Sequence, residues 1–164
     1  MLLTQLESNP VPPEMDEINM NDVIRNACNE VQGLLAESDK ISIVNDCDKP
    51  IKGIATELNS LCTNLISNAV RYSPDGADIE ISWVSLSDSK ARLSVKDTGI
   101  GIAKEHIDRI TERFYRVDMK DSRARGGTGL GLAIVKHVLR RHNSELEVKS
   151  RVNEGSLFYC DFEL

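Results

Sequence analysis

Two asparagines one helical turn apart, Asn64 and Asn68, lie in the stretch NLISNAVRY at residues 64–72. Asparagine is a poor helix former, because its amide competes for the backbone's own hydrogen bonds. At helical spacing Asn64, Asn68, Arg71 and Tyr72 share one face, beside the apolar stripe Leu61, Leu65 and Ala69. An amide carbonyl is a hard oxygen suited to Mg²⁺, which takes few protein ligands and completes its shell with waters and substrate phosphates. Taken alone, the spacing better describes two solvent-facing asparagines.

A second stretch, DTGIG, occupies residues 97–101. Asp97 continues the alternation of Leu93 and Val95, which turns its carboxylate toward the apolar face of a strand, where an unpaired charge is costly. The amino group of a purine offers two N–H donors to such a carboxylate. Gly99 and Gly101 would let the backbone pass close to a flat ring. An ordinary strand-end turn has the same composition.

The third stretch, GGTGLGL at 126–132, leads into an apolar helix. Glycines before a helix expose backbone N–H groups and the positive end of the helix dipole to an anion, and Thr128 can cap the helix or touch a phosphate. A Walker A loop is excluded, because no Lys-Ser/Thr pair follows the glycines. A dinucleotide fingerprint is excluded, because DSRAR rather than a strand precedes them. Arg113, Phe114, Tyr115, Arg116, Lys120, Arg123 and Arg125 form a basic cluster in a chain of formal net charge −6. Arginines there suit polyphosphate oxygens through bidentate bonds, although a solvated charged loop is the commoner fate of such a run.

These residues must be held by a fold of 164 residues, enough for one domain with a substantial core. Hydrophobic residues make up 40% and charged residues 28%, so the chain reads as globular rather than disordered. The acidic balance argues against general affinity for nucleic acid or anionic membrane. Cys28, Cys47, Cys62 and Cys160 show no C-x-x-C spacing and read as small buried thiols. No apolar run is long enough for a membrane span.

Periodicity predicts a helix over 22–38 capped by Asn21, short strands at 41–44 and 51–54, and a helix starting at Thr56 and ending before the turn SPDG at 73–76. A hairpin follows, with alternating residues 77–83 and 91–95 joined through 85–90. A short helix to about Ile110, a loop over 111–127, a helix from Thr128 or Gly129 and two closing strands, 145–150 and 156–164, complete the chain. The hairpin excludes a purely alternating parallel sheet, which leaves a mixed α+β layer structure.

The order of the stretches is more specific than any one of them. NLISNAVRY resembles the N box, DTGIGI the G1 box, ERFYRVD the F box and GGTGLGLAIVKHVL the G2 box of sensor histidine kinases, and EGSLFYCDFEL resembles their closing strands. The resemblance spans about residues 14–164, with TERFYRVD most similar to the branch that serves the phosphate regulon. It implies an α+β, two-layer sandwich of the Bergerat type, shared with gyrase and Hsp90: a mixed sheet with helices on one face and ATP beneath a mobile lid. Carried over by motif, Asn68 would ligate Mg²⁺ and Asn64 would support metal and phosphates. Arg71 would approach the phosphates, Tyr72 the adenine, and Asp97 the adenine amino group. Gly99, Gly101 and Ile102 would line the adenine slot. Arg116 would contact phosphate from the lid, and Gly127, Thr128, Gly129, Leu130, Gly131 and Leu132 would close over the triphosphate. Arg116 and residues 117–127 are expected to be poorly ordered without nucleotide.

ATP-hydrolysing relatives carry a glutamate one turn before the metal asparagine. Asn64 stands there, and an amide is no general base at neutral pH, so transfer to a histidine is expected rather than hydrolysis. The family's acceptor histidine lies in a dimeric helical hairpin, in an H-E-L-R-T-P-like context that His106, His137 and His142 lack. Leu2, Leu3 and Leu6, followed by NPVPP at 9–13, resemble the last turns of that hairpin and a linker, so residues 1–13 are expected to be its tail and 14–164 the catalytic domain. The implied partners are ATP, the hairpin and a PhoB-like response regulator. The implied setting is the cytoplasmic side of an inner-membrane sensor, with the isolated domain a monomer. A serine kinase of the anti-sigma-factor type and a non-catalytic nucleotide-binding module are the competing readings.

Overall fold

The computed structural model describes residues 15–35, 39–73, 76, 78–112 and 131–164. The expected hairpin tail, the loop carrying Arg116 and residues 117–127, and the glycines up to Leu130 lie outside them.

Strand β1 (Asp16–Ile18) leads into helix α1 (Met20–Val31), a 3₁₀ turn (Gln32–Leu34) and strands β2 (Lys40–Asn45) and β3 (Ile51–Gly53). Helix α2 (Ala55–Arg71) precedes the hairpin β4 (Asp78–Ser87) and β5 (Lys90–Asp97). Then come the single turn α3 (Lys104–Ile107), helix α4 (Gly131–Arg141) and strands β6 (Glu147–Arg151) and β7 (Gly155–Glu163). A five-stranded sheet has the order β2-β4-β5-β7-β6, with β2 and β4 parallel and the other pairs antiparallel. β1 and β3 form a separate antiparallel pair. The architecture is the mixed two-layer α+β class read from the sequence.

Several boundaries differ from expectation for physical reasons. The cap of α1 is Asn19, whose side chain accepts the Asn21 N–H at 2.9 Å, while Asn21 Nδ2 donates to the Cys47 carbonyl. The helix stops at Val31, because glycine at position 33 is a weak helix former and the chain tightens into 3₁₀ geometry. The β4–β5 hairpin runs on to Ser87 and Lys90, past the apolar alternation, with a bulge between Ser85 and Ser87. Beyond Trp83 the apolar residues Val84 and Leu86 fall on the outer face and the core-side position is Ser85, so the alternation no longer marks a buried face.

The core lies between one face of the sheet and the three long helices. Ile79, Ile81 and Trp83 of β4, Leu93 and Val95 of β5, and Phe158, Cys160 and Phe162 of β7 are buried against Leu58, Leu61, Leu65 and Ile66 of α2 and Val135, Val138 and Leu139 of α4. Each buried large aliphatic contributes about 1.5–3 kcal/mol of hydrophobic stabilisation. The Trp83 and Phe162 rings pack tilted, 6.0 Å between centroids.

α2 packs beside α4 in antiparallel fashion, and polar contacts fasten one end of the pair. The Ile54 N–H donates to His142 Nε2 at 3.1 Å, so Nδ1 carries the hydrogen and donates to the Val138 carbonyl at 2.7 Å. Burial holds the His142 pKa below its ordinary value, as this neutral bridging role requires. Arg141 in the last turn of α4 pairs with Glu57 in the first turn of α2 at 3.2 Å, each charge at the helix end whose dipole favours it.

Candidate functional site

At the other end of the pair the two helices bring the sequence motifs together. Asn64 is half-buried in the middle of α2, and its Nδ2 donates to the Ser60 carbonyl one turn back at 2.7 Å. Its Oδ1 faces α4: a Cβ built on Gly131 would sit 3.0 Å from it. Glycine at 131 thus lets the first described turn of α4 press against the asparagine face of α2. Asn68 follows one turn on, only 3% exposed, and among the described residues its Nδ2 has no hydrogen-bond partner. A buried amide without a partner costs roughly 1–3 kcal/mol. Its needs match a ligand bearing oxygens and a cation, because the N–H₂ end donates to a phosphate oxygen and the carbonyl end ligates a metal. Arg71 is half-buried at the last turn, and Tyr72 is buried at the C-cap.

Asp97 ends β5, 2% exposed, between Ile79 and Ser156 in register. The strand alternation therefore turns it to the core side, as its sequence position predicts. Burial pushes its carboxyl pKa up to about 6, against the pull of backbone N–H bonds from Gly99 and Ser156. At neutral pH most of it is still ionised, a buried acceptor held in place by Gly99 N–H at 2.9 Å. A cavity of about 500 Å³ opens beside it, walled in part by Ile107, Val148, Ser150 and Ser156.

The segment after Asp97 is clamped from two sides. The Ile100 N–H donates to the Tyr72 carbonyl at 2.8 Å, and a Cβ on Gly99 would come within 2.1 Å of that carbonyl oxygen. On the other side the Ile100 carbonyl accepts the Asn153 N–H at 2.7 Å, and a Cβ on Gly101, which has φ +73°, would meet the Arg151 carbonyl at 2.0 Å. The glycines are therefore demanded by neighbouring protein backbone, a reason different from the close approach of a flat ring that the sequence suggested. Ile102 and Leu132 are buried core side chains. Arg116, Gly127, Thr128, Gly129 and Leu130 lie outside the described residues.

Sequence reasoning passed over the β6–β7 turn, which supplies Ser150, Arg151, Asn153 and Gly155 to this clamp. Its signal was present: Asn-Glu-Gly at 153–155 is turn chemistry, and Asn153 and Gly155 both have positive φ. Among the described residues no group of three or more His, Cys, Asp or Glu could enclose a metal ion. A divalent cation at this site would draw most of its ligands from the substrate, as Mg²⁺ does with nucleotide phosphates.

A buried carboxylate at a strand end, the asparagine face of α2 and the first described turn of α4 lying against it make up the candidate site. Residues 53–164 match the family described as histidine kinase-, DNA gyrase B- and HSP90-like ATPase, and the chain belongs to that family. Its relatives include the phosphate regulon sensor protein PhoR of Pseudomonas aeruginosa, 43% identical over 163 residues, 99% of this chain and 37% of the relative. The sensor-like histidine kinase SenX3 of Mycolicibacterium smegmatis is 39% identical over 158 residues, 95% of this chain and 41% of the relative. The chain thus spans about two-fifths of the length of these relatives. Full-length ShkA in complex with AMPPNP superposes with a TM-score of 0.83 at 21% identity, over 98% of this chain and 33% of that one. The mycobacterial sensor histidine kinase MprB does so with 0.78 at 24% identity, over 91% and 97%. Both share the fold.

Proposed function

We propose that the chain is the catalytic, ATP-binding part of a two-component sensor histidine kinase, which passes the γ-phosphoryl group of ATP to a histidine on a separate helical hairpin. The observation that carries this reading is the convergence on α2: the first described turn of α4 lies against Asn64, Asn68 one turn on has an Nδ2 without a partner among the described residues, and the segment after buried Asp97 is bonded to the helix end at Tyr72. Asp97 accepts the adenine amino group. Tyr72, Gly99, Gly101 and Ile102 bound the base. Asn64, Asn68 and Arg71 face the phosphates, with Arg116 and residues 127–132 completing the enclosure. Asn68 would hold Mg²⁺ together with phosphate oxygens, and the ion would supply charge neutralisation. With no covalent chemistry required of the protein, positioning and charge stabilisation provide most of the acceleration. Asn64 leaves the site without a general base for water, which favours an acceptor that is already nucleophilic.

The name of the PhoR relative, a phosphate regulon sensor protein, supports a PhoB-like response regulator as the downstream partner. Among the described residues no helix is long and apolar enough to cross a membrane. The reading places the chain on the cytoplasmic side of an inner-membrane sensor.

Mixing the chain with a separately expressed acceptor hairpin and γ-labelled ATP tests the proposal. Label should appear on the hairpin as acid-labile, base-stable phosphohistidine, with none on the chain itself. Tight ATP binding without transfer would support the non-catalytic module instead, and acid-stable phosphoserine on a protein substrate would support the anti-sigma-factor type.

A further inference from the structure

Resting on the nucleotide reading above, we infer that Ser150 is a positioning residue for the nucleobase, fixing residues 100–102 at the height where that backbone and Asp97 meet one ring. The Ser150 hydroxyl accepts the Ile102 N–H at 2.7 Å, lies 3.0 Å from the Gly155 carbonyl and 2.7 Å from the Ser156 hydroxyl. A hydroxyl has one hydrogen and two lone pairs. Donation to Gly155 O, with acceptance from Ile102 N–H and Ser156 O–H, uses all three. The group is saturated by its protein neighbours, so its role toward a ligand is indirect.

Among the described residues, three bonds hold the 100–102 segment. Ile100 N–H to Tyr72 O and Asn153 N–H to Ile100 O run between backbone atoms, which a substitution leaves in place. The bond from Ile102 to Ser150 alone depends on a side chain. The same serine touches Gly155 and Ser156, and Ser156 is the ladder partner of Asp97 where β7 pairs with β5. One hydroxyl therefore ties the glycine segment and the carboxylate into a common frame. The sheet does not need it, because β6 and β7 remain paired through the backbone from Glu147 to Arg151. Without it the Ile102 N–H loses its acceptor, and the segment is free to shift toward another.

Calorimetric titration with Mg²⁺ and AMP-PNP separates the possibilities. Ser150→Ala and Ser150→Cys, the latter close in shape but a poor acceptor, should bind about tenfold more weakly, the size of effect expected for one net hydrogen bond at the strong end of its range. Ser150→Thr should restore parental affinity. Ser94→Ala, which removes a half-buried hydroxyl bonded to Ser82 on the other face of the sheet, should bind as the parent does. Adenosine should lose affinity in Ser150→Ala by the same factor as AMP-PNP, because the effect is confined to the base. Parental affinity in Ser150→Ala and Ser150→Cys, alongside a parent that binds and an Asp97→Ala variant that does not, would overturn this role while leaving the nucleotide reading intact. A folded parent that binds no nucleotide would overturn both.

Discussion

Arg141→Ala is expected to destabilise the folded chain by about 3 kcal/mol, at the lower end of the range for breaking a buried ion pair from one side. The pair is 3.2 Å long, and the side chains of Arg141 and Glu57 are 14% and 5% exposed. Truncation leaves the Glu57 carboxylate buried without its cation, and the melting temperature should fall by roughly 6–12 °C for a chain of this size. The pH dependence identifies the cause. Burial raises the Glu57 pKa and Arg141 pulls it back. A carboxyl whose pKa is higher in the folded state contributes stability below its unfolded pKa, and that contribution is lost as pH rises through the folded value. Removing Arg141 raises the folded value further. The difference between variant and parent should therefore be largest near neutral pH and shrink as pH falls through the carboxyl range. Glu57→Gln in the Arg141→Ala background should recover part of the loss. Thermal unfolding at neutral and acidic pH checks this, and a pH-independent difference would show that lost packing, rather than stranded charge, is responsible.

Gly155→Ala should be comparably severe and should reach the site directly. Gly155 has φ +115°, and a Cβ there would lie 2.1 Å from the Asp97 carbonyl oxygen. Backbone strain of about 1–3 kcal/mol adds to an overpacking cost of about 1–3 kcal/mol. Relieving the contact would part β7 from the end of β5, where Asp97 pairs with Ser156. Gly33→Ala is the matched control, because nothing lies within 4 Å of its Cβ position. Such a change is neutral or stabilises by about 0.4–1 kcal/mol through the unfolded chain. Urea denaturation of both variants measures the contrast, and a Gly155→Ala variant as stable as the parent would contradict the close approach.

This turn marks the limit of what the sequence displays. The long helices, the hairpin and the closing strands were legible because each buries one face, so apolar residues recur at their period. Asp97 was legible for the same reason: it falls on the buried side of the Leu93–Val95 alternation. β1 was not, since three residues have no measurable period and its pairing with β3 is a tertiary event. Asn19 and Asn21 are both capping residue types, and only the chain path through Cys47 decides between them. Gly99, Gly101 and Gly155 declare themselves as glycines, but the backbones they approach, at Tyr72, Arg151 and Asp97 respectively, lie far away in the chain, a separation that local patterns do not encode. Ser150 has no motif of its own, and its importance arises from Ile102, Gly155 and Ser156 converging on it.

The central claim, that buried Asp97 is the base-recognising carboxylate of an ATP site, is tested most directly by titrating AMP-PNP and Mg²⁺ into the parent chain, Asp97→Ala and Asn68→Ala in a calorimeter. The parent should bind. Asp97→Ala should remain folded and bind at least about 100-fold more weakly, the loss of roughly 2.7 kcal/mol that a buried charged hydrogen bond carries. Asn68→Ala should retain nucleotide binding but lose its dependence on Mg²⁺. A folded Asp97→Ala variant that binds as tightly as the parent would contradict the account.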